Sequence, residues 1–242
     1  MDENIFLSVV VPVYNEADKI EKNLKIILEY LKGRYTYEMI VVDDGSRDDT
    51  YAIASRIGEK DPCIKLLKNE VNCGKGYTLK KGMTAASGKY VLFTDADLST
   101  PFQDIEKILP WLEQGYDLAI GSRKLKNSDL RVHQAWYREF MGCVFFYLAK
   151  VFVASGVHDF NCGFKGFTRE SAHHLFGKMR INRWGYDVEI LHIAGKHGYR
   201  IKEVPISWVN SDTSKVNLFK DALRSFMDLI RIRTNDMKGL YK

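Results

Sequence analysis

Four short aliphatic runs in this chain break off at clusters of polar residues: LSVVVPVYNE at 7–16, EMIVVDDGS at 38–46, YVLFTDADLSTP at 90–101 and DLAIGSR at 117–123. The stretch Leu7 to Val13 is too short for a helix and too apolar for a sheet edge, which predicts a central parallel strand. Ile20, Leu24, Ile27, Leu28 and Leu31 then share one helical face, predicting a helix from Ala17 that stops at Gly33. A second strand at Met39 to Val42 leads to a helix capped by Asp48 or Asp49, and CIKLLKN at 63–69 leads through Gly74 and Gly76 to a helix ending near Ser87. Ser99 or Thr100 is placed to cap the next helix, with Pro101 in its first turn. Strands and helices alternating at this pitch predict an α/β fold, an open and mostly parallel sheet with helices on both faces.

Ligands of such sheets sit beyond the carboxyl ends of the strands. The polar residues gather at that rim: Tyr14, Asn15 and Glu16, then Asp43 and Asp44, then Asn72, Gly74 and Lys75, then Asp95 and Asp97, and finally Arg123. Asp95 and Asp97 stand two apart at a strand tip, so both can converge beyond the sheet edge. Such a pair suits Mg²⁺ or Mn²⁺, which takes one or two carboxylates and fills its other positions with water and phosphate oxygens. A lone Asp-x-Asp is as often a solvated strand end, but Asp43 and Asp44 on a neighbouring tip would repel it without a cation or hydrogen-bonding ligand between.

Other chemistries fail on spacing. There is no H-E-x-x-H, no G-x-S-x-G, no G-x-x-x-x-G-K-[ST] and no G-x-G-x-x-G after the first strand, which argues against a zinc protease, a serine hydrolase, a P-loop enzyme and a dinucleotide dehydrogenase. The 242 residues suffice for one large core, and the four cysteines are too scattered for a disulfide framework, as reduced thiols in a cytosol would be. With no signal-like leader and no apolar run of spanning length, the chain reads as a soluble body with a mild net charge of +5.

The second half is less regular. Trp136 to Val157 reads as a long amphipathic helix or helix pair, DFNCGFKGFTRE at 159–170 as loop and strand, WGYDVEILHIAGKHG at 184–198 as helix, RIKEVPISWV at 200–209 as strand, and Lys215 to Arg233 as a basic amphipathic helix. The division expected is a catalytic domain over 1–210 and a tail helix over 211–242, packed on that domain or on a membrane.

VVVPVYNE, VVDDGSRDDT (41–50), NCGKGYTLKKGM (72–83), TDADLSTP (94–101), GSR (121–123) and DFNCGFKGFTRE occur in the order seen in family 2 glycosyltransferases, which this chain resembles over nearly its whole length. The resemblance implies the GT-A fold, with a Rossmann-like central sheet. Within the family the chain is most similar to the polyprenyl-phosphate enzymes of dolichyl-phosphate type, which move a glucosyl or mannosyl unit from UDP-glucose or GDP-mannose to a lipid monophosphate. Carried to this sequence, Pro12, Tyr14, Glu16, Asp44 and Ser46 would hold the nucleoside, with Asp44 meeting base or ribose. Gly74 and Lys75 would lie against base or phosphate, and Asp95 and Asp97 would grip the diphosphate through the metal.

An acceptor phosphate is already ionised, so it needs positioning by cations more than a general base. Arg123, Arg138 and Lys215 are assigned that role, though Arg138 could equally lie on a solvated helix face. Asp159 falls where the family places a residue beside the reaction centre and could act as base or orient the acceptor. Asp187 and Glu189 are alternative acids, one of them expected to face solvent, and Trp184 is expected in the core in preference to stacking on sugar. The region 136–157 and the basic tail (Lys220, Arg224, Arg231, Arg233) could lie on an anionic leaflet, which would seat the protein peripherally at the cytoplasmic face of a membrane or on a membrane partner, with no role for nucleic acid. Three rivals are a family 2 enzyme with a sugar hydroxyl acceptor, a nucleotidyltransferase, and a non-catalytic nucleotide-sugar binding module. The last two are disfavoured, respectively, by the lack of a glycine-rich loop after the first strand and by the joint presence of metal acids, arginines and Asp159.

Overall fold

The structure is a computed structural model that describes residues 5–126, 128–130, 157–209 and 218–242, with backbone alone for 129–130 and 218–223. The expected alternation is present: β1 (Leu7–Val13), α1 (Ile20–Leu31), β2 (Tyr37–Asp43), α2 (Thr50–Gly58), β3 (Ile64–Lys68), α3 (Lys75–Ala85) and β4 (Tyr90–Thr94). A 3₁₀ turn, Phe102–Asp104, opens α4 (Ile105–Glu113), which is followed by β5 (Leu118–Ser122) and β6 (Asp129–Leu130). Then come β7 (Phe164–Thr168), α5 (Arg169–Lys178), α6 (Tyr186–Lys196), β8 (Ile201–Pro205), β9 (Ser207–Trp208) and α7 (Leu218–Met237).

Among the described residues, seven strands form one sheet in the order β3-β2-β1-β4-β7-β5-β8, and β6 pairs with β9. β1 lies inside the sheet, parallel to β2 and β4, with Val11 opposite Val41 and Val10 opposite Phe93. Side chains alternate across it as the pleat demands. Val10, Val42 and Phe93 join Leu79, Phe176 and Tyr186 in one core layer, while Val9, Val11, Val41 and Leu92 join Leu24, Ile27 and Ile108 in the other.

Among the strands of this sheet β7 alone runs against its neighbours, its Phe164 opposite Thr94 of β4 and its Gly166 opposite Ala119 of β5. That reversal has a functional result. The start of β7, and with it the DFNCG loop at 159–163, lies at the rim where the parallel strands end.

Several local expectations are corrected. α1 begins at Ile20, not Ala17, because residues 14–19 form a turn in which Asn15 takes a φ of 52° and Ala17 N–H donates to Asp48 (3.2 Å). Asp48 also accepts from Thr50, while Asp49, the N-cap of α2, makes no capping bond. Neither Ser99 nor Thr100 caps a helix; Pro101 precedes the 3₁₀ turn. The run 200–209 is two strands, and Val209 N–H instead reaches Ser99 O at 2.8 Å. Residues 131–156, with Arg138 and nearly all of the amphipathic 136–157 region, lie outside the described residues, as does Lys215.

Candidate active site

The rim is built from the tips of β1, β2, β4 and β5, the start of β7 and the amino ends of α3 and α6. At the β2 tip, the Asp44 carboxylate accepts four hydrogen bonds: Asn69 Nδ2 (3.0 Å) and Cys73 N (2.8 Å) on Oδ1, Asn72 Nδ2 (2.9 Å) and Gly74 N (2.9 Å) on Oδ2. Those donors answer its charge, so no cation is needed between the acids of β2 and β4. Where contact with base or ribose was expected, Asp44 is buried and holds the 69–74 turn. Asp43 is fully buried; its Oδ2 accepts from Ser46 N–H (3.1 Å), while its buried Oδ1 has no hydrogen-bond partner. Ser46 Oγ accepts from Asn15 N–H (3.0 Å), and Glu16 N–H donates to Thr50 (2.7 Å), so the β1 tip carrying Pro12, Tyr14 and Glu16 is tied to the β2 tip. All three of those side chains are half-buried at this end of the sheet.

At the β4 tip, Lys75 at the start of α3 meets Asp95 Oδ1 at 2.5 Å. Expected against base or phosphate, Lys75 thus sits on the acid proposed to hold metal. Burial works against its charge, but Asp95, Asp187 and Asp97 outweigh it and hold its pKa above that of an ordinary lysine. Gly74, at φ +100°, lets the turn approach Asn182, whose carbonyl oxygen would lie 2.6 Å from a β-carbon there. Gly163 matters more: a β-carbon at this position would lie 1.9 Å from Asp95 Oδ2, so only glycine leaves Asp95 its place. Asp97 Oδ1 accepts from Ser99 N–H (2.9 Å) across Leu98, which takes the left-handed φ of 51° that is uncommon for a branched residue.

At the β5 tip, Arg123 and Asp159 form a bidentate pair: Nε to Oδ2 at 2.8 Å and an Nη to Oδ1 at 2.9 Å, with Arg123 N–H adding 3.0 Å. Asp159 is 2% exposed. Burial alone would raise its pKa, yet the guanidinium overrides that and holds it below the ordinary value, which makes Asp159 a weaker base than a free carboxylate. The pair instead fixes Arg123, whose guanidinium lies 5.5 Å from the Trp208 ring centre.

Behind these lies a feature the sequence reading missed. Lys165 of β7 is buried, donates to Cys162 O (2.6 Å) and pairs with Asp187 at the start of α6. Burial pushes the Asp187 carboxyl up, opposed by Lys165 and Lys75. A lysine inside the apolar run FKGF was the available signal, since a buried ammonium requires a partner. The expectation that Asp187 or Glu189 faces solvent is wrong: α6 is buried from Tyr186 through Ala194, packed between the sheet and the tail. Trp184 is corrected in the other direction. It is 40% exposed at the rim, its ring centre 6.0 Å from Lys75 Nζ.

An acid-tipped sheet with one reversed strand delivering an arginine-bound aspartate beside an Asp-x-Asp corner is the architecture of a GT-A glycosyltransferase. The chain belongs to glycosyltransferase family 2: residues 8–176 match the profile described as "Glycosyl transferase family 2". It is 37% identical to a dolichyl-phosphate beta-glucosyltransferase of Dictyostelium discoideum over 99% of this chain and 77% of that one. The human enzyme of the same name is 34% identical over 98% of this chain and 77% of its own. Among solved structures, glucosyl-3-phosphoglycerate synthase from Mycobacterium tuberculosis, in complex with Mn²⁺, uridine-diphosphate-glucose and phosphoglyceric acid, superposes with a TM-score of 0.69 at 20% identity, covering 95% of this chain and 80% of that one.

Proposed function

We propose that this glycosyltransferase moves a hexose, glucose in preference to mannose, from a nucleoside diphosphate sugar to a polyprenyl phosphate of dolichyl type, with inversion. The similarity to dolichyl-phosphate beta-glucosyltransferases supports the donor and acceptor classes. The observation that carries the chemistry is the Arg123–Asp159 pair. A sugar hydroxyl needs a carboxylate to take its proton, and the candidate at this position is bound bidentately to an arginine. A phosphate monoester, with a second pKa of about 6, reaches the site already ionised.

In the step proposed, an oxygen of the acceptor phosphate attacks the anomeric carbon from the face opposite the diphosphate. The new C–O bond forms as the old one breaks, and the electron pair leaves with the nucleoside diphosphate. Arg123, fixed by Asp159, offsets the repulsion between the two anions as they meet. Pro12, Tyr14, Glu16 and Ser46 line the nucleoside side, with the Gly74–Lys75 turn, shaped by Asp44, beneath base or phosphate.

Asp95 and Asp97 would hold Mg²⁺ or Mn²⁺. The fit is favourable: both donors are hard oxygens, Gly163 keeps the space beside Asp95 free of a β-carbon, and the Lys75 ammonium already stands on Asp95 as a cation would. Among the described residues no group of three His, Cys, Asp or Glu could complete a cage, so phosphate oxygens would supply the remaining ligands. Bound there, the ion would act as a Lewis acid on the leaving diphosphate.

The same reading takes 1–210 as the catalytic unit and 211–242 as its tail, seated on the cytoplasmic leaflet. No described helix is long and apolar enough to cross a membrane. α7 exposes Met227, Ile230 and Met237 beside Arg231, Arg233 and Lys238, a composition suited to an anionic surface, while Leu229 and Ile232 are buried in the core. Cys63, Cys73 and Cys162 are free thiols, as a reducing compartment would keep them.

The test is a panel of labelled UDP-glucose and GDP-mannose with polyprenyl phosphate, read as label extracted into organic solvent. Label from UDP-glucose, lost on chelation and lost in a folded Asp97→Ala variant, is expected. Undiminished transfer without metal, or no lipid product from either donor, contradicts the proposal.

A further inference from the structure

Glu189 is fully buried and belongs to neither ion pair of the rim. Its Oε2 accepts from Ile181 N–H (2.8 Å) and Arg180 N–H (3.1 Å), and its Oε1 accepts from Arg180 N–H (3.1 Å) and from the Tyr241 hydroxyl. Tyr241 is itself fully buried, its hydroxyl accepting from Asn235 Nδ2 (3.1 Å) and its carbonyl 2.7 Å from His197 Nε2. The carboxylate therefore clamps two things together: the strip 180–182 before α6, and the tail after α7.

That strip bears on the donor side of the site. Asn182 O accepts from Tyr77 N–H (3.0 Å), and Met179 O accepts from Lys80 Nζ (2.7 Å), so the strip is stitched to the first turns of α3. It also presses against the glycine turn, where β-carbons on Gly74 and Gly76 would come within 2.6 Å of Asn182 O and 2.5 Å of Ile181 O. The turn in turn holds Lys75 on Asp95 and donates Gly74 N–H to Asp44.

We infer that Glu189, clamped by Tyr241, is a positioning residue for the donor: it sets the 180–182 strip against which the Gly74–Lys75 turn rests, and so tunes nucleotide-sugar affinity from the far end of the chain. The inference rests on the reading that the donor lies over that turn. Neither residue touches the reacting atoms. Releasing the clamp therefore weakens the donor without a matching loss for the acceptor.

The experiment compares Glu189→Ala, Glu189→Gln and Tyr241→Phe in the full chain, using the nucleotide sugar that the wild-type protein turns over. Glu189→Ala should raise the donor KM about tenfold, with acceptor KM and kcat changed less than about threefold. Glu189→Gln should recover most of this, because its amide oxygen still accepts from Ile181 and its amide nitrogen can donate to the Tyr241 hydroxyl. Tyr241→Phe keeps the packing, removes one bond and should fall between, so it reads the proposal even where Glu189→Ala does not fold. Donor KM unchanged in Tyr241→Phe, or a lower Tm with the donor KM intact in any folded variant, overturns the inference. Wild-type protein that turns over no nucleotide sugar overturns the proposed function first, and this inference with it.

Discussion

Two aspartate–cation pairs sit at the rim, and they differ in kind. Asp95 meets Lys75 through one contact, with 36% of its side chain exposed; Asp159 meets Arg123 through two parallel bonds and is 2% exposed. A single contact to a partly exposed acid exchanges more readily than two parallel bonds, so in the proposed step the Lys75 ammonium would give way to another cation. A buried bidentate pair cannot exchange without stranding a charge. Under the proposed function, the donor side of the site would thus be built to be rearranged and the acceptor side to stay fixed.

Removing one partner from each pair tests that contrast. Arg123→Ala should cut transfer at least about a hundredfold and destabilise the fold by about 3–5 kcal/mol, since Asp159 is left buried and unpaired. Lys75→Ala should weaken the donor while lowering thermal stability much less than Arg123→Ala does. Equal losses of Tm would erase the distinction. Next in size is Gly163→Ala: with its β-carbon 1.9 Å from Asp95 Oδ2, it should lower turnover about tenfold and raise the metal concentration needed for half activity, with the acceptor KM unmoved. Unchanged metal dependence would show that Asp95 is not a ligand.

The smallest effect is on pH stability. The folded pKa of Asp159 lies below its ordinary value of 3.8, so the pair's contribution is complete above that value and lost only as pH falls through the lower folded pKa. Denaturation followed from neutral pH into acid should show Asp159→Asn, measured against wild type, with a flatter acid limb. An identical slope would place the linkage elsewhere.

The two halves of the chain also differ in how much of them their residues announce. The tips of β1, β2 and β4 are legible because a buried parallel strand must be apolar throughout, so the first polar residue marks the rim; Asp44, Asp95 and Asp97 follow directly. The direction of β7 is not legible, since FKGFT looks the same run either way and only pairing with both β4 and β5 fixes it. Nor is the burial of both Asp187 and Glu189. A lone amphipathic helix would turn one outward, but α6 has the sheet on one side and the tail residues Leu229, Ile232 and Tyr241 on another. Asp159 shows the remaining limit: its partner Arg123 lies 36 residues away in the chain, and only the fold brings the two together.

The central claim is that the acceptor brings its own charge, so the site needs a fixed arginine and no free base. The most direct measurement offers the enzyme the same polyprenyl chain as the monophosphate and as the free alcohol, with labelled UDP-glucose in both arms. The account predicts glycosylated lipid from the phosphate alone, falling at least about a hundredfold in Arg123→Ala. Comparable transfer to the alcohol, with Arg123→Ala as active as wild type, would contradict it.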